Sequence, residues 1–452
     1  MAAADDEDPV VVRGSHGTGR STAALRACCT LAARGHSVRL PYVESSSAEF
    51  VERSLATIAE GEHIRPRNGQ VNPTVNARMT TECTIIGGGI QGVSTGLLLE
   101  HVGVDTQLVS EDFAYLNGED VPTVASNYAS ASIYPVAVET DIADDELIRQ
   151  CEESFLPFYE TAGIPVRKQT HYYLYEQSQG EDFTVPPRMD AQHISSYRKP
   201  IPSRSGETVS DGYVCSEYMV EMPEYMPLLF EAYTQAGGTM TRRSVSQAEI
   251  GGFSTDYLIN CSGYGSRTLF DDSSMRAIKG HILEVPHDSD RPLEFSYTYT
   301  PREYSHYAYM YPRKETIVFD GSYLAGDIVD GDWEGESPTN PVTVDGVEIP
   351  ERLLTVNRDV MRNHLQFSDD DVAVKYGYRP YREDGLRVEK SGDIIHNYGH
   401  GGAGVSLSWL SAKWASEYVT EIPRQVLGQI ASRLGQLNRT QGWSHADALS
   451  SS

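Results

Sequence analysis

At 452 residues and a formal charge of −27, the chain is long enough for two or three domains around a large core, and its acidity disfavours nucleic acid and anionic lipid as partners. Its six cysteines, at 28, 29, 83, 151, 215 and 261, form no CxxC or Cys/His cluster of metal-ligand spacing. No apolar run reaches bilayer length and no signal-peptide pattern opens the chain, so no membrane span and no metal are expected, and a reducing cytoplasm is the expected compartment.

Residues 1–78 read as an N-terminal extension. Val10 to Arg13 has strand character and GSHGTGRST follows, with Gly14, Gly19, Arg20 and Ser21 at P-loop spacing. Arg20 stands where such a loop carries Lys, and no apolar strand ending in a magnesium-holding Asp follows. The segment therefore reads as a degenerate phosphate loop or an appendage.

From Met79 the text changes to MTTECTIIGGGIQGVSTGLLLEHVGVDTQLVSED. A buried strand, Cys83 to Ile86, runs into Gly87, Gly89 and Gly92, then a helix, then a strand from Asp105 to Ser110. Glu111 follows, 19 residues beyond Gly92. This is a dinucleotide fingerprint in its required context: glycines for a tight turn, close pyrophosphate approach and helix–strand packing, and an acid for the ribose hydroxyls. The segment Thr123 to Val136 offers Ala131 and Ser132 as small residues suited to backbone approaching a cofactor, although a surface loop fits it equally.

Residues 141–235 give acidic helical text (Asp144 to Tyr159), aromatic strand text (Thr170 to Tyr175), a Pro/Ser-rich region and a helix after Pro223. After Thr239 the dinucleotide style resumes. Tyr257 to Asn260 reads as a buried strand opening into Cys261, Ser262 and Gly263, a second bare strand end suited to the same crevice. Ala277 to Val285 is a strand leading back into the second domain, followed by aromatic strands around Tyr304, Tyr307, Tyr309 and Tyr311. Arg379 sits in what reads as a stiff turn between Gly377 and Pro380.

Near the C-terminus, IIHNYGHGGAGVSLSWLSA (Ile394 to Ala412) reads as a strand, a turn bearing Gly399, His400, Gly401, Gly402 and Gly404, and a helix start. Free N–H groups and the positive dipole end there favour negative charge. Taken alone, this stretch fits an ordinary glycine-rich turn and a flavin-facing loop equally. A modest amphipathic helix closes the chain.

Together these stretches resemble the D-amino-acid oxidase and D-aspartate oxidase family of flavoproteins. The resemblance rests on apolar-apolar-His-Asn-Tyr-Gly-His-Gly-Gly-x-Gly from Ile394 to Gly404, the fingerprint after Met79, Cys261-Ser262-Gly263, Lys279-Gly280, the Gly326 to Glu334 hairpin and GYRPYR from Gly377. It spans about 79–420. It implies an α/β protein: a Rossmann-type FAD-binding domain from 79–140, 236–285 and 366–420, a mixed-sheet α+β substrate domain from 141–235 and 286–365, and a helix and tail at 421–452. It also implies that Arg379 and the Tyr309 hydroxyl grip a substrate α-carboxylate and that the Gly402 carbonyl accepts from the substrate amine. Ser305 stands where the family has a second active-site tyrosine, and Leu410 replaces a signature glycine.

The implied reaction passes the Cα hydrogen of a D-amino acid to FAD as hydride. The imine then hydrolyses to a 2-oxo acid and ammonia, and oxygen takes the electrons to give peroxide. Open alternatives are an amine oxidase of glycine, sarcosine or another secondary amine, and a nucleotide-binding regulatory protein with a vestigial flavin site. A homodimer is also an open option. Arg302, His306 and Arg313 are candidates for holding a distal substrate carboxylate.

Overall fold

A computed structural model describes residues 10–11, 38–39 and 81–441, apart from 117–120, 136, 181–182, 187–189, 288–292 and 305. Met1–Thr81 forms a unit of its own, in which Val10–Val11 and Val38–Arg39 pair in parallel. Gly14, Gly19, Arg20 and Ser21 lie outside the described residues, as does Ser305.

In the second unit, a six-stranded sheet runs in the order Arg387–Ser391, Ile394–Tyr398, Tyr257–Asn260, Glu82–Gly88, Asp105–Phe113, Thr239–Arg242. All neighbours are parallel except the first pair, a hairpin. The central strand is buried from Cys83 through Gly88, as expected for a parallel strand covered on both faces. Helix Ile90–His101 follows, buried from Ile90 to Leu99.

The larger sheet has ten strands. Its path runs Asp332–Gly335, Leu324–Val329, Met275–Pro286, Thr316–Asp320, Ala308–Pro312, Phe295–Thr300, Val166–Tyr175, Asp211–Val220 and Gln192–His193. Ala373–Arg382 pairs antiparallel with Met275–Pro286 over ten residue pairs, which sets Arg379 opposite Ile278 and Gly377 opposite Gly280. The sheet is mixed, since Phe295–Thr300 and Val166–Tyr175 run parallel. Two linked sheets, one Rossmann-type and one mixed, give the α/β architecture read from the sequence.

The core divides differently from the expected residue ranges. Helices Asp144–Glu160 and Met222–Ala236, expected with the substrate domain, contribute Phe155, Phe158, Tyr225 and Leu229 to the same core as Leu97 of the fingerprint helix. Conversely, Met275–Pro286 and Ala373–Arg382, expected with the FAD-binding domain, belong to the larger sheet. The cause is amphipathic: each helix carries an apolar face that needs a helical partner, whereas both strands need ladder partners. Arg379 accordingly sits within an extended strand and not in a turn. Pro380 is tolerated because the strand is paired along its length with Met275–Pro286 alone, its other contacts being an isolated bridge from Tyr381 to His400 and a bond from the Tyr378 N–H to the Pro122 carbonyl.

Helix Ser408–Ser416 anchors the end of the glycine turn. Trp409, fully buried, stacks on Phe158 at 4.7 Å and donates its indole N–H to the Tyr225 hydroxyl at 2.8 Å. Leu410 is buried beside it in the same core. The C-terminal helix Val426–Gln441 adds Ile430 and Leu434 to that core.

Candidate active site

A cavity of about 670 Å³ runs from the fingerprint turn, past the ends of the parallel strands, to the larger sheet. It lies at the carboxyl ends of the strands, where open α/β sheets bind ligands. Of the residues singled out by sequence, Gly87, Gly89, Glu111, Ala131, Ser132, Cys261, Ser262, Gly263, Tyr309, Arg379, His400, Gly401, Gly402 and Gly404 all line it. Gly92 and Gly399 do not.

Gly92 acts by packing. A Cβ there would stand 2.0 Å from the Gly87 carbonyl oxygen, so only glycine lets the helix meet the turn. Gly87 has φ +130°, and a Cβ on it would meet the Cys261 carbonyl at 2.3 Å. The bare start of helix Ile90–His101 faces the cavity, with Gly89 as its cap residue and the Ser126 hydroxyl accepting from the Ile90 N–H at 3.1 Å. Gly399 lies behind the turn, against Arg382.

These features fit FAD. An extended crevice floored by bare backbone and a helix N-terminus suits a pyrophosphate, and Glu111 at the end of its strand suits ribose hydroxyls. Arg243 lines the same end. At the other end, the Gln91 side chain donates to the Gly404 carbonyl at 2.6 Å and accepts from Ser411 at 3.0 Å, and Ser411 also bonds His400. This network locks the glycine turn to the fingerprint helix. Burial pushes His400 down to about 3 and the Cys261 thiol up to about 12, so both are neutral and neither offers a charge or a nucleophile. Ala131, at φ +64°, holds an uncommon backbone conformation for a residue with a side chain, and the Ser132 hydroxyl is taken by Glu217 at 2.5 Å.

The substrate end is built on the larger sheet. Tyr309 and Asp320 are directly paired across neighbouring strands, and the Tyr309 hydroxyl donates to the Asp320 carboxylate at 2.5 Å. Arg379 donates to the same carboxylate oxygen at 2.7 Å and to the Ser322 carbonyl at 3.0 Å. The other Asp320 oxygen accepts from the Gly321 N–H at 2.5 Å, the Ser322 N–H at 2.8 Å and the Ser322 hydroxyl at 3.1 Å. Burial works against the Arg379 charge, but Asp320 outweighs it and holds the guanidinium firmly protonated. Burial, then Asp320, raises the Tyr309 phenol well above its ordinary range, so it remains a donor.

Asp320 is the site residue the sequence reading missed. Its only signal was an acid closing an otherwise apolar strand, TIVFD. Beside Tyr309, which the resemblance placed at the substrate carboxylate, Tyr173, Tyr175, Tyr213, Tyr307 and Tyr311 also line the cavity. Arg302, His306 and Arg313 do not line it; Arg302 bonds the Glu176 carbonyl and Arg313 the Ala129 carbonyl. No His/Cys/Asp/Glu cluster able to hold a metal ion occurs among the described residues, nor any helix long and apolar enough to cross a membrane.

Comparison with known proteins agrees with this geometry. Residues 82–418 match the DAO model, described as FAD-dependent oxidoreductase. The chain is 26% identical to a D-amino-acid oxidase of Dictyostelium discoideum, across 72% of this chain and 87% of the relative. It is 26% identical to a D-amino-acid oxidase of Rubrobacter xylanophilus, across 76% and 97%. A human D-aspartate oxidase matches at 30% identity over 44% of this chain and 54% of its own. The fold resembles glycine oxidase from Geobacillus kaustophilus (TM-score 0.51, 17% identity, covering 76% of this chain and 96% of that one). It also resembles the FAD-bound L-α-glycerophosphate oxidase of Mycoplasma pneumoniae (TM-score 0.54, 13% identity, 77% and 97%).

Proposed function

The chain belongs to the DAO family of FAD-dependent oxidoreductases, and on that premise we propose that it is an oxidase converting a D-amino acid to its imino acid, with release of hydrogen peroxide. The observation that carries this reading is Arg379 on the cavity wall beside the Tyr309 hydroxyl. Two of the five guanidinium N–H donors go to Asp320 and the Ser322 carbonyl, and the fork retains further donors for a substrate carboxylate.

With the carboxylate on Arg379, the substrate amine extends toward the Gly402 carbonyl. That peptide is fixed because its N–H, on Ala403, donates to the His400 carbonyl at 2.9 Å. FAD, when bound, supplies the two-electron acceptor and the route to oxygen. The chain itself supplies orientation, a fixed field and, at the substrate end of the cavity, the rings of Tyr307, Tyr309 and Tyr311. No side chain is assigned to remove a proton at Cα: His400 is neutral and engaged with Ser411. The stereochemistry follows the named relatives.

The test is peroxide and 2-oxo-acid release by the flavin-loaded protein across a panel of D-, L- and N-methyl amino acids. Turnover of D-amino acids with no response to L-enantiomers is expected. Turnover confined to glycine, sarcosine or other secondary amines would replace this reading with the amine-oxidase alternative.

A further inference from the structure

The substrate end carries an acid that the proposed reaction does not use. Asp320 is fully buried, does not line the cavity, and stands behind the two groups that do, Arg379 and Tyr309. A second buried cation lies behind it: Arg352, 7% exposed, spends its fork on the backbone carbonyls of Tyr307 and Gly321. Both carbonyls belong to peptides within two residues of Tyr309 or Asp320.

Charge can be counted from these positions. At the clamp itself, two guanidiniums and one carboxylate leave a single net positive charge, and the buried Glu217 carboxylate, which takes the hydroxyls of the cavity-lining Ser132 and Tyr173, adds no cation to that wall. The other titratable groups on the neighbouring strand add nothing on the cavity side. Lys279 lies over the Tyr376 ring at 4.4 Å, and His281, which burial keeps neutral, bonds the Ser322 hydroxyl; neither lines the cavity. Gly280 between them keeps the clamp open, because a Cβ there would stand 2.5 Å from the Arg379 guanidinium. Among the described residues, Arg379 and Arg243 are the cations lining the cavity, and Arg243 is at the adenosine end with Glu111.

We propose that Asp320 is a specificity-determining residue, an internal counter-ion that leaves the clamp matched to one substrate carboxylate and set against a second. A monocarboxylate brings the clamp to neutrality. A dicarboxylate leaves it with a net negative charge at an end of the cavity where, among the described residues, no other cation lines the wall, and beside a protein wall like charges repel more than in bulk water. The inference deepens the proposed function and rests on its reading of Arg379 and Tyr309 as the carboxylate clamp.

The test titrates the full-length, FAD-loaded protein with propionate and with malonate, following the flavin absorbance change, in the wild type and in Asp320→Asn. The wild type is expected to bind malonate at least tenfold more weakly than propionate. Asp320→Asn, nearly isosteric and with one more net positive charge, should narrow that ratio at least tenfold. The ratio of kcat/KM for D-alanine over D-aspartate should narrow with it. Wild-type binding of malonate equal to or tighter than that of propionate overturns the inference while leaving the clamp standing, and this arm needs no variant to fold. An unchanged ratio in flavin-loaded Asp320→Asn overturns it as well. Binding of neither anion overturns the clamp and the inference together.

Discussion

Replacing Arg379 by Met tests the buried ion pair at the centre of the substrate end. Methionine keeps the apolar stem of the side chain and removes its guanidinium, so Asp320 loses one of five donated hydrogen bonds and its only ion-pair partner within 4 Å among the described residues. Breaking a buried pair on one side costs about 3–5 kcal/mol, mostly from the charge left behind. Two features reduce this: the Arg379 side chain is 23% exposed, and four donors stay on Asp320. The expected loss is therefore about 2–3 kcal/mol in the stability of the flavin-loaded protein. Urea unfolding at fixed excess FAD measures it, since ligand concentration shifts apparent stability. Asp320→Asn removes the stranded charge, so the double variant should regain more than 1 kcal/mol relative to the sum of the single ones. Strict additivity, or a loss below about 0.5 kcal/mol in Arg379→Met, would refute the claim that the two side chains form one buried unit.

Gly92→Ala should leave a soluble protein that no longer retains FAD, read as the ratio of flavin to protein absorbance after gel filtration, because its Cβ would overlap the Gly87 carbonyl at 2.0 Å. Trp409→Ala should cost about 3–5 kcal/mol by urea unfolding, since it empties a buried site and strands the Tyr225 hydroxyl. Acid should destabilise the protein from about pH 6.5 downward. Burial lowers His281 and His396 to about 4 and His400 to about 3, so the unfolded chain binds protons that the folded chain refuses, and stability falls with falling pH through that window. The contribution reaches about 1.4 kcal/mol per pH unit for each histidine, and His281→Gln should flatten the measured slope by about that amount.

The cofactor half was legible because its chemistry is local. Gly87, Gly89, Gly92 and Glu111 fall within one strand–helix–strand passage, and backbone approach demands glycine at fixed spacing, so a short window carries the signal. The glycine turn after Tyr398 was ambiguous by itself, since an ordinary turn needs the same residues. What it lacked was its distant partner, Gln91, which lies 320 residues from the Ser411 it bonds. The substrate half was less legible for the same reason. Tyr309, Asp320 and Arg379 meet only through strand pairing, and alternation in an aromatic strand looks the same whether its face packs on a core or borders a cavity. The core assignment of Asp144–Glu160 and Met222–Ala236 was hidden too: an apolar helical stripe states that a partner exists without saying which one.

Register is what joins the two halves. Along Met275–Pro286, Gly280 and Ile282 border the cavity while His281 and Lys279 do not, and the antiparallel partner strand sets Gly377 opposite Gly280 and Arg379 opposite Ile278. A slip of one residue in Ala373–Arg382 would send Arg379 to the other face and set Tyr376 or Tyr378 opposite Gly280, removing the clamp. Ten consecutive pairs hold that register, and it is secured at both ends. Arg276 meets Glu383 at 3.1 Å at one end, and Lys375 meets Glu284 at 3.3 Å at the other. Each exposed pair is worth little alone, but each is satisfied in one register only. Their contribution lies in alignment of the arginine with the cavity, so disrupting both pairs should raise KM before it lowers stability.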